Sequence, residues 1–316
     1  MNPPKFIRTC SIWRALEVVG DTSVLLILEA SWIGARRFDE FRTRTGLLQT
    51  LLSDRLKRLL AAGVMEKRAY SEAPPRFEYR MTQKGRDLYW PSLMMLRWER
   101  RWATSSGRLQ LRLRHRTCGH AFDPVPTCLS CGDEISARDV DWAEGPGVGW
   151  MAPRYSRRRQ QRHAVEGASS LMVDVAQITG DRWASLALRS IFTGLRRFDE
   201  IHRDTAMATN ILSERLSWLT AQRVIRAHEV GGRRSEYRLT EKGIDYYPVL
   251  LMLLQWGDKY YCSPEGPPLI LRHKGRDGAP GHALEPAVTC SCCGQPVEPH
   301  DVTFEVIEAQ APELVA

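Results

Sequence analysis

The chain contains itself twice, and this limits its fold more than any other feature. Gly20-Asp21 recurs as Gly180-Asp181, Arg36-Arg37-Phe38-Asp39-Glu40 as Arg196-Arg197-Phe198-Asp199-Glu200, and Leu52-Ser53-Asp54-Arg55-Leu56 as Leu212-Ser213-Glu214-Arg215-Leu216. The offset is 160 throughout, and 16 of the 41 positions in 20–60 are identical in 180–220. It becomes 158 at Glu78-Tyr79-Arg80 and Glu236-Tyr237-Arg238, and 162 where Cys128 and Cys131 meet Cys290 and Cys293. Register held this far makes the chain two copies of one structural unit.

The periodicity predicts the same elements in each copy. In copy 1, helices are expected over 11–19, 22–32, 38–45, 48–61 and 83–102, with strands over 64–70 and 77–81. Copy 2 repeats them at 171–179, 182–192, 198–205, 208–221, 224–230, 235–240 and 241–261. The fold class is mainly α with small β-hairpins (α+β). The domain reading is contiguous: winged helix-turn-helix 1 over 1–103 with a Cys/His tail over 104–142, a Gly- and Arg-rich mobile linker over 143–168, winged helix-turn-helix 2 over 169–262, and a second tail over 263–316.

Helix, turn, helix and β-hairpin in that order form a winged helix-turn-helix, whose second helix enters the DNA major groove. With Gly20-Asp21, Arg37-Phe38-Asp39-Glu40, Leu52-Ser53-Asp54-Arg55-Leu56, Thr82-Gln83-Lys84-Gly85 and their second-copy partners, both copies resemble the HxlR-type winged-helix transcriptional regulators, which are close to MarR-type regulators. The resemblance covers about 10–103 and 170–262. It implies a regulator of double-stranded DNA, usually a homodimer on a palindrome. Here two copies in one chain allow a monomeric pseudo-dimer as well as a homodimer.

Position assigns the DNA-contact candidates. Gln49, Thr50 and Ser53, and Thr209, Asn210 and Ser213, stand at the start of the recognition helices. Arg36, Arg37, Arg196 and Arg197 precede the first helix of each motif, where a phosphate would pass; the alternative is ordinary surface charge or a pair with Asp39 or Asp199. Arg55 and Arg215 suit either phosphate contacts or internal ion pairs. Arg76, Arg233 and Arg234 belong to the wing tips. Both recognition helices lack a capping Ser/Thr, having Leu48 and Ala208 instead. The formal charge of +8 fits a polyanionic partner. The alternative is an interaction scaffold that has lost DNA binding. No nucleophile elbow, zincin motif, P-loop or dinucleotide fingerprint is present, so the chain is not expected to be an enzyme.

The tails carry metal-ligand residue types: His115, Cys118, His120, Cys128 and Cys131 in the first, and His273, His282, Cys290 and Cys293 in the second. A C-x2-C-G turn aims two thiolates at one ion, which makes zinc the candidate cofactor. Within one tail, His115 and Cys118 would complete a Cys3His set with Cys128 and Cys131. The alternative is a small hairpin with reduced thiols that binds nothing. Cys10 starts the first helix, where some members of the resembled family carry a redox-sensing cysteine; copy 2 has Ser170 there. No apolar run reaches the roughly 20 residues a bilayer requires, and no secretory signal is evident, so a cytoplasmic location is expected.

Overall fold

The computed structural model describes residues 6–73, 75–103, 109–152, 170–230, 234–275 and 280–308. The chain forms two compact units, neither of them contiguous. One, built on the first repeat, combines Val18–Val125, Gln161–Gly180 and Val288–Ala316. The other, built on the second, combines Met1–Glu17, Pro126–Gln160 and Asp181–Ala287. Each unit therefore takes two things from the other repeat: the helix that precedes the Gly-Asp motif and the closing segment of the tail.

In the first-repeat unit, Asp21 caps helix Thr22–Trp32, its carboxylate accepting the amides of Ser23 and Val24. Helix Phe38–Thr45 follows, closed by Gly46 in the left-handed region (φ 65°), and then helix Gln49–Ala61. Phe41, Leu52, Leu56 and Leu59 are buried at helical spacing and fasten the two helices to the core. Strands Met65–Glu72 and Pro75–Met81 pair antiparallel as the wing. The Tyr79 amide donates to the Arg36 carbonyl and ties the wing to the helix pair.

The Thr-x-Lys-Gly motif has a packing reason. Thr82 Oγ1 donates to the Gly63 carbonyl at 2.6 Å and accepts the Gly85 amide at 3.2 Å. A Cβ on Gly85 would lie 2.2 Å from the Val64 carbonyl oxygen, so only glycine fits. Gly243 meets Val224 in the same way at 2.1 Å.

The helix expected over 83–102 is two helices, Gln83–Arg86 and Tyr89–Trp102, and that over 241–261 is Glu241–Ile244 and Tyr247–Tyr261. Pro91 and Pro248 account for both breaks. Proline has no N–H for an intrahelical bond and is tolerated in a first turn, so the helix restarts just before it.

In the second-repeat unit, helices Arg182–Phe192, Phe198–Thr205 and Thr209–Ala221 and strands Ile225–Val230 and Arg234–Leu239 repeat the series. Ala206 replaces the turn glycine and still adopts the left-handed conformation (φ 49°). Residues of the Ser11–Val19 helix pack here: the Trp13 and Trp183 rings lie 4.8 Å apart. A Cβ on Gly257 would sit 2.1 Å from the Ser11 carbonyl oxygen, which records how closely that helix approaches Tyr247–Tyr261.

The reciprocal helix, Val173–Thr179, lies in the first-repeat unit and has no side-chain cap from its own sequence. Of two buried carboxylates of the first repeat, one caps it and the other holds the residues just before it. Glu99 accepts the amides of Asp174 at 3.1 Å and Val175 at 2.8 Å, and Glu29 accepts the Leu171 amide at 2.9 Å and the Ser170 hydroxyl at 3.0 Å. Negative charge at a helix N-terminus is favourable. Burial nevertheless raises the Glu29 carboxyl from 4.5 to about 7, with the Leu171 and Ser170 hydrogen bonds opposing. A carboxyl with a raised folded pKa holds its proton more tightly in the folded state. Stability therefore falls as pH rises from about 4.5 to about 7 and then levels. Between pH 5 and pH 8 the wild type should lose about 3 kcal/mol relative to Glu29→Gln. Urea unfolding of both proteins across that range measures it; parallel profiles would show that Glu29 titrates normally.

The tails are β-rich. Leu109–His115 pairs with Val302–Glu308 in the first-repeat unit. Leu269–His273 pairs with His282–Ala283 and with Val140–Glu144 in the second. Part of the expected linker is ordered: residues 143 and 144 end strand Val140–Glu144, and Trp150–Met151 pairs with Ile7–Arg8. The linker arginines 154, 157, 158, 159 and 162 lie outside the described residues. Among the described residues no helix is long and apolar enough to cross a membrane.

Candidate nucleic-acid interface and metal centres

The helix-turn-helix of each unit presents its reading residues outward. Gln49 and Thr50 are exposed and Ser53 is half-buried; Thr209, Asn210 and Ser213 are exposed. Neither Leu48 nor Ala208 caps its helix through a side chain, so the first amides of both helices have no local side-chain acceptor. Arg37, Arg76, Arg196 and Arg197 are exposed, and Arg37 stacks its guanidinium 4.7 Å from the Tyr70 ring. Arg233 lies outside the described residues, as does the side chain of Arg234.

Three arginines expected at DNA are turned inward. Arg36 Nη1 donates to the Ser31 carbonyl at 2.8 Å and the Ala35 carbonyl at 2.9 Å, closing the end of helix Thr22–Trp32. Arg55 Nη2 lies 2.8 Å from Asp21 Oδ2, and Arg215 Nε lies 2.6 Å from Asp181 Oδ2, an ion pair by distance although not aligned as a hydrogen bond. In both units the aspartate thus caps one helix and anchors the recognition helix. Of the two roles open to Arg55 and Arg215, the internal pair is present. The signal was in the sequence, because Gly-Asp and the Arg of Leu-Ser-x-Arg-Leu recur together at one offset.

The cysteines and histidines gather into two four-donor clusters. His115, Cys118, Cys290 and Cys293 form one, inside the first-repeat unit. Cys128, Cys131, His273 and His282 form the other, inside the second-repeat unit. This corrects the expectation that each tail completes its own set. The strands explain the exchange: each tail contributes its first strand and His-bearing turn to its own unit, and its last strand to the other. The C-x2-C turns travel with that second half. His120 is exposed and stands outside the four-donor set, hydrogen-bonding the Cys118 sulfur.

The turns have the geometry of metal knuckles. Gly119, Gly132 and Gly294 adopt φ of 73°, 79° and 70°, and their amides donate to the carbonyls of His115, Cys128 and Cys290. A tetrahedral ion with Zn–S of about 2.3 Å and Zn–N of about 2.0 Å places sulfurs about 3.8 Å apart and sulfur and nitrogen about 3.6 Å apart. Cys118 Sγ lies 3.9 Å from Cys290 Sγ and 3.8 Å from His115 Nδ1, and Cys293 Sγ lies 3.3 Å from His115 Nδ1. In the other cluster, Cys128 Sγ–His282 Nε2 and Cys131 Sγ–His273 Nδ1 are both 3.3 Å. The residues fit a metal ion.

The thiols do not share one acidity. The His120 amide first of all draws Cys118 down to about 6. Burial pushes Cys128 up, but hydrogen bonds from the Glu285 amide and His282 outweigh it and leave it at about 6. Burial pushes Cys290 up to about 11. Crowded thiols resist joint ionisation unless a cation replaces their protons. Cys10 is buried, and its sulfur accepts the Trp13 amide at 3.4 Å.

A family model described as HxlR-like helix-turn-helix matches residues 18–106 and again 178–265, together more than half of the chain. The protein belongs to this family. It is a DNA-binding transcription regulator with a tandem repeat of the domain, and such regulators are not enzymes. Its relatives match about one repeat. An HTH-type transcriptional regulator of Mycobacterium tuberculosis is 39% identical over 137 residues, 43% of this chain and 87% of the relative. One from Bacillus subtilis is 31% identical over 90 residues, 28% of this chain and 72% of the relative. The crystal structure of PA1607 shares 33% identity over 40% of this chain and 90% of that one, with a TM-score of 0.35.

Proposed function

We propose that this protein reads an asymmetric operator with two non-identical winged-helix domains paired within one chain, as an intramolecular counterpart of a homodimer. The observation that carries this is the exchange: each unit is completed by a helix and a tail segment of the other repeat. Two chains would have to exchange these segments in a homodimer; here one chain contains both sets. A cytoplasmic location accords with this role.

The repeats agree in scaffold and differ where they would read DNA. Gln49 corresponds to Thr209 and Thr50 to Asn210. Gln and Asn can each pair bidentately with adenine, while Thr more often meets a thymine methyl, and a good bidentate contact discriminates by ~1–3 kcal/mol. In-vitro selection should return two different half-sites in fixed orientation. Gln49→Ala should relax preference in one half only and Asn210→Ala in the other. A perfect palindrome, with both variants affecting its halves equally, would refute base reading by these residues.

Zinc is the proposed ion in both clusters. Four-coordinate sets of three thiols with one imidazole, and of two with two, suit a borderline-soft ion in a closed structural site. His115 and His273 are buried with Nδ1 directed at the thiols, an orientation that suits a ligand role. Each ion would join the first half of one tail to the second half of the other.

A further inference from the structure

We infer that Lys57 holds a DNA phosphate beside the half-site of the first repeat, and that the recognition helix of the second repeat has no equivalent hold. This rests on the placing of each recognition helix in the major groove, with its first turn at the base edges.

In helix Gln49–Ala61, Thr50, Ser53 and Lys57 follow one another at spacings of three and four, so they share one face. Leu52, Leu56 and Leu59 occupy the opposite face and are buried, while Lys57 is exposed. Lys57 stands two turns beyond Thr50, about 10 Å along the helix axis. The major groove is about 12 Å wide. A helix whose first turn meets base edges therefore brings Lys57 toward the groove wall, where the phosphates run. Its long stem and compact charge suit a phosphate better than a base edge.

The other two cations of this helix are already committed. Arg55 lies 2.8 Å from Asp21 and Arg58 lies 3.1 Å from Asp54. Lys57 has no hydrogen bond or ion pair among the described residues, so it can meet a phosphate without breaking a contact. Exposed lysines are commonplace; this one is set apart by its face and by its counterpart.

The repeat provides that counterpart. Helix Thr209–Ala221 has the same face in Asn210, Ser213 and Ser217, all exposed, and Ser217 stands where Lys57 does. A serine is short and neutral. The difference extends across the motif. Helices Phe38–Thr45 and Gln49–Ala61 carry five basic and three acidic side chains, a net charge of +2. Helices Phe198–Thr205 and Thr209–Ala221 carry two basic and four acidic ones, a net charge of −2 with histidine neutral. Arg44 is exposed, whereas its counterpart Asp204 lies 3.0 Å from the buried Arg189. The first-repeat motif thus attracts a polyanion more strongly, and Lys57 is its point of contact on the reading face.

The test follows binding of the full chain to a mixed-sequence duplex of about three helical turns as salt rises from about 50 to 200 mM. Because the probe has no chosen sequence, the result is independent of whether Gln49 and Asn210 read bases. Lys57→Gln should lower the slope of log affinity against log salt by about 0.9, the effect of one lost phosphate, and Lys57→Arg should keep it. Ser217→Lys should steepen the slope by about 0.9, and the Lys57→Gln/Ser217→Lys double variant should match the wild type. Arg112→Gln, the same charge change at an exposed position of tail strand Leu109–His115, should leave the slope unchanged. Should Lys57→Gln fail to fold, Ser217→Lys still decides the matter. An unchanged slope in Lys57→Gln, a slope lost in Lys57→Arg, no steepening in Ser217→Lys, or an equal fall in Arg112→Gln would each overturn the inference.

Discussion

Cys118→Ser and Cys290→Ser, 172 residues apart, are expected to release the same zinc ion. Wild-type protein purified without chelator should carry two equivalents. Each of these single variants should carry one, and the double variant should also carry one, because both thiols belong to the cluster with His115 and Cys293. Cys128→Ser and His282→Ala should behave as the second such pair. Combining Cys118→Ser with Cys128→Ser should leave none. The effect is large because the binding energy of a structural zinc is folding energy, about 10–16 kcal/mol in zinc-finger peptides. Even a fraction of that exceeds a single core contact, so each loss should be visible as a large fall in melting temperature. Metal analysis of the purified variants decides the matter. Retention of one ion by the Cys118→Ser/Cys128→Ser double variant would mean that ligands are drawn from a single tail; no metal in the wild type would remove zinc altogether.

Asp181→Ala should destabilise the protein by about 3–5 kcal/mol, the usual effect of removing one partner from a buried ion pair. Asp181 and Arg215 are 2% and 8% exposed, and Asp181 also caps helix Arg182–Phe192 through the Trp183 and Ala184 amides at 3.1 Å. Asp21→Ala removes the same cap and pair in the first repeat. That aspartate is more open, so the loss there should be smaller, roughly 1–2 kcal/mol. Urea denaturation of the two variants gives the comparison; equal losses would show that burial does not set the difference. The pair also has a DNA-binding signature. Arg215→Ala should weaken DNA binding by loosening the recognition helix while leaving the salt slope unchanged. Arg197→Ala, at an exposed position, should reduce that slope by about 0.9 if it neutralises one phosphate. A flattened slope in Arg215→Ala would return that residue to the phosphate contacts.

The sequence alone determined the duplication, the winged helix-turn-helix order and the family. These rest on local signals: apolar spacing, glycines at turns, and motifs repeated at a constant offset. It also identified eight residues that the structure gathers as metal-ligand candidates, because C-x2-C-G is a local turn whose geometry travels with its residues. Tertiary structure decided how those residues are shared. Nothing in a C-x2-C turn specifies which histidines it will meet; strand pairing of Leu109–His115 with Val302–Glu308 and of Leu269–His273 with Val140–Glu144 makes that choice. The helix exchange was hidden for the same reason. Val173–Thr179 reads as the first helix of its own repeat, yet Glu99 of the other repeat accepts its first amides and Glu29 the Leu171 amide just before it. The roles of Arg36, Arg55 and Arg215 were likewise a matter of direction. An arginine at a given position can face phosphate or fold back onto the protein; Arg55 and Arg215 meet Asp21 and Asp181, and Arg36 meets the Ser31 and Ala35 carbonyls.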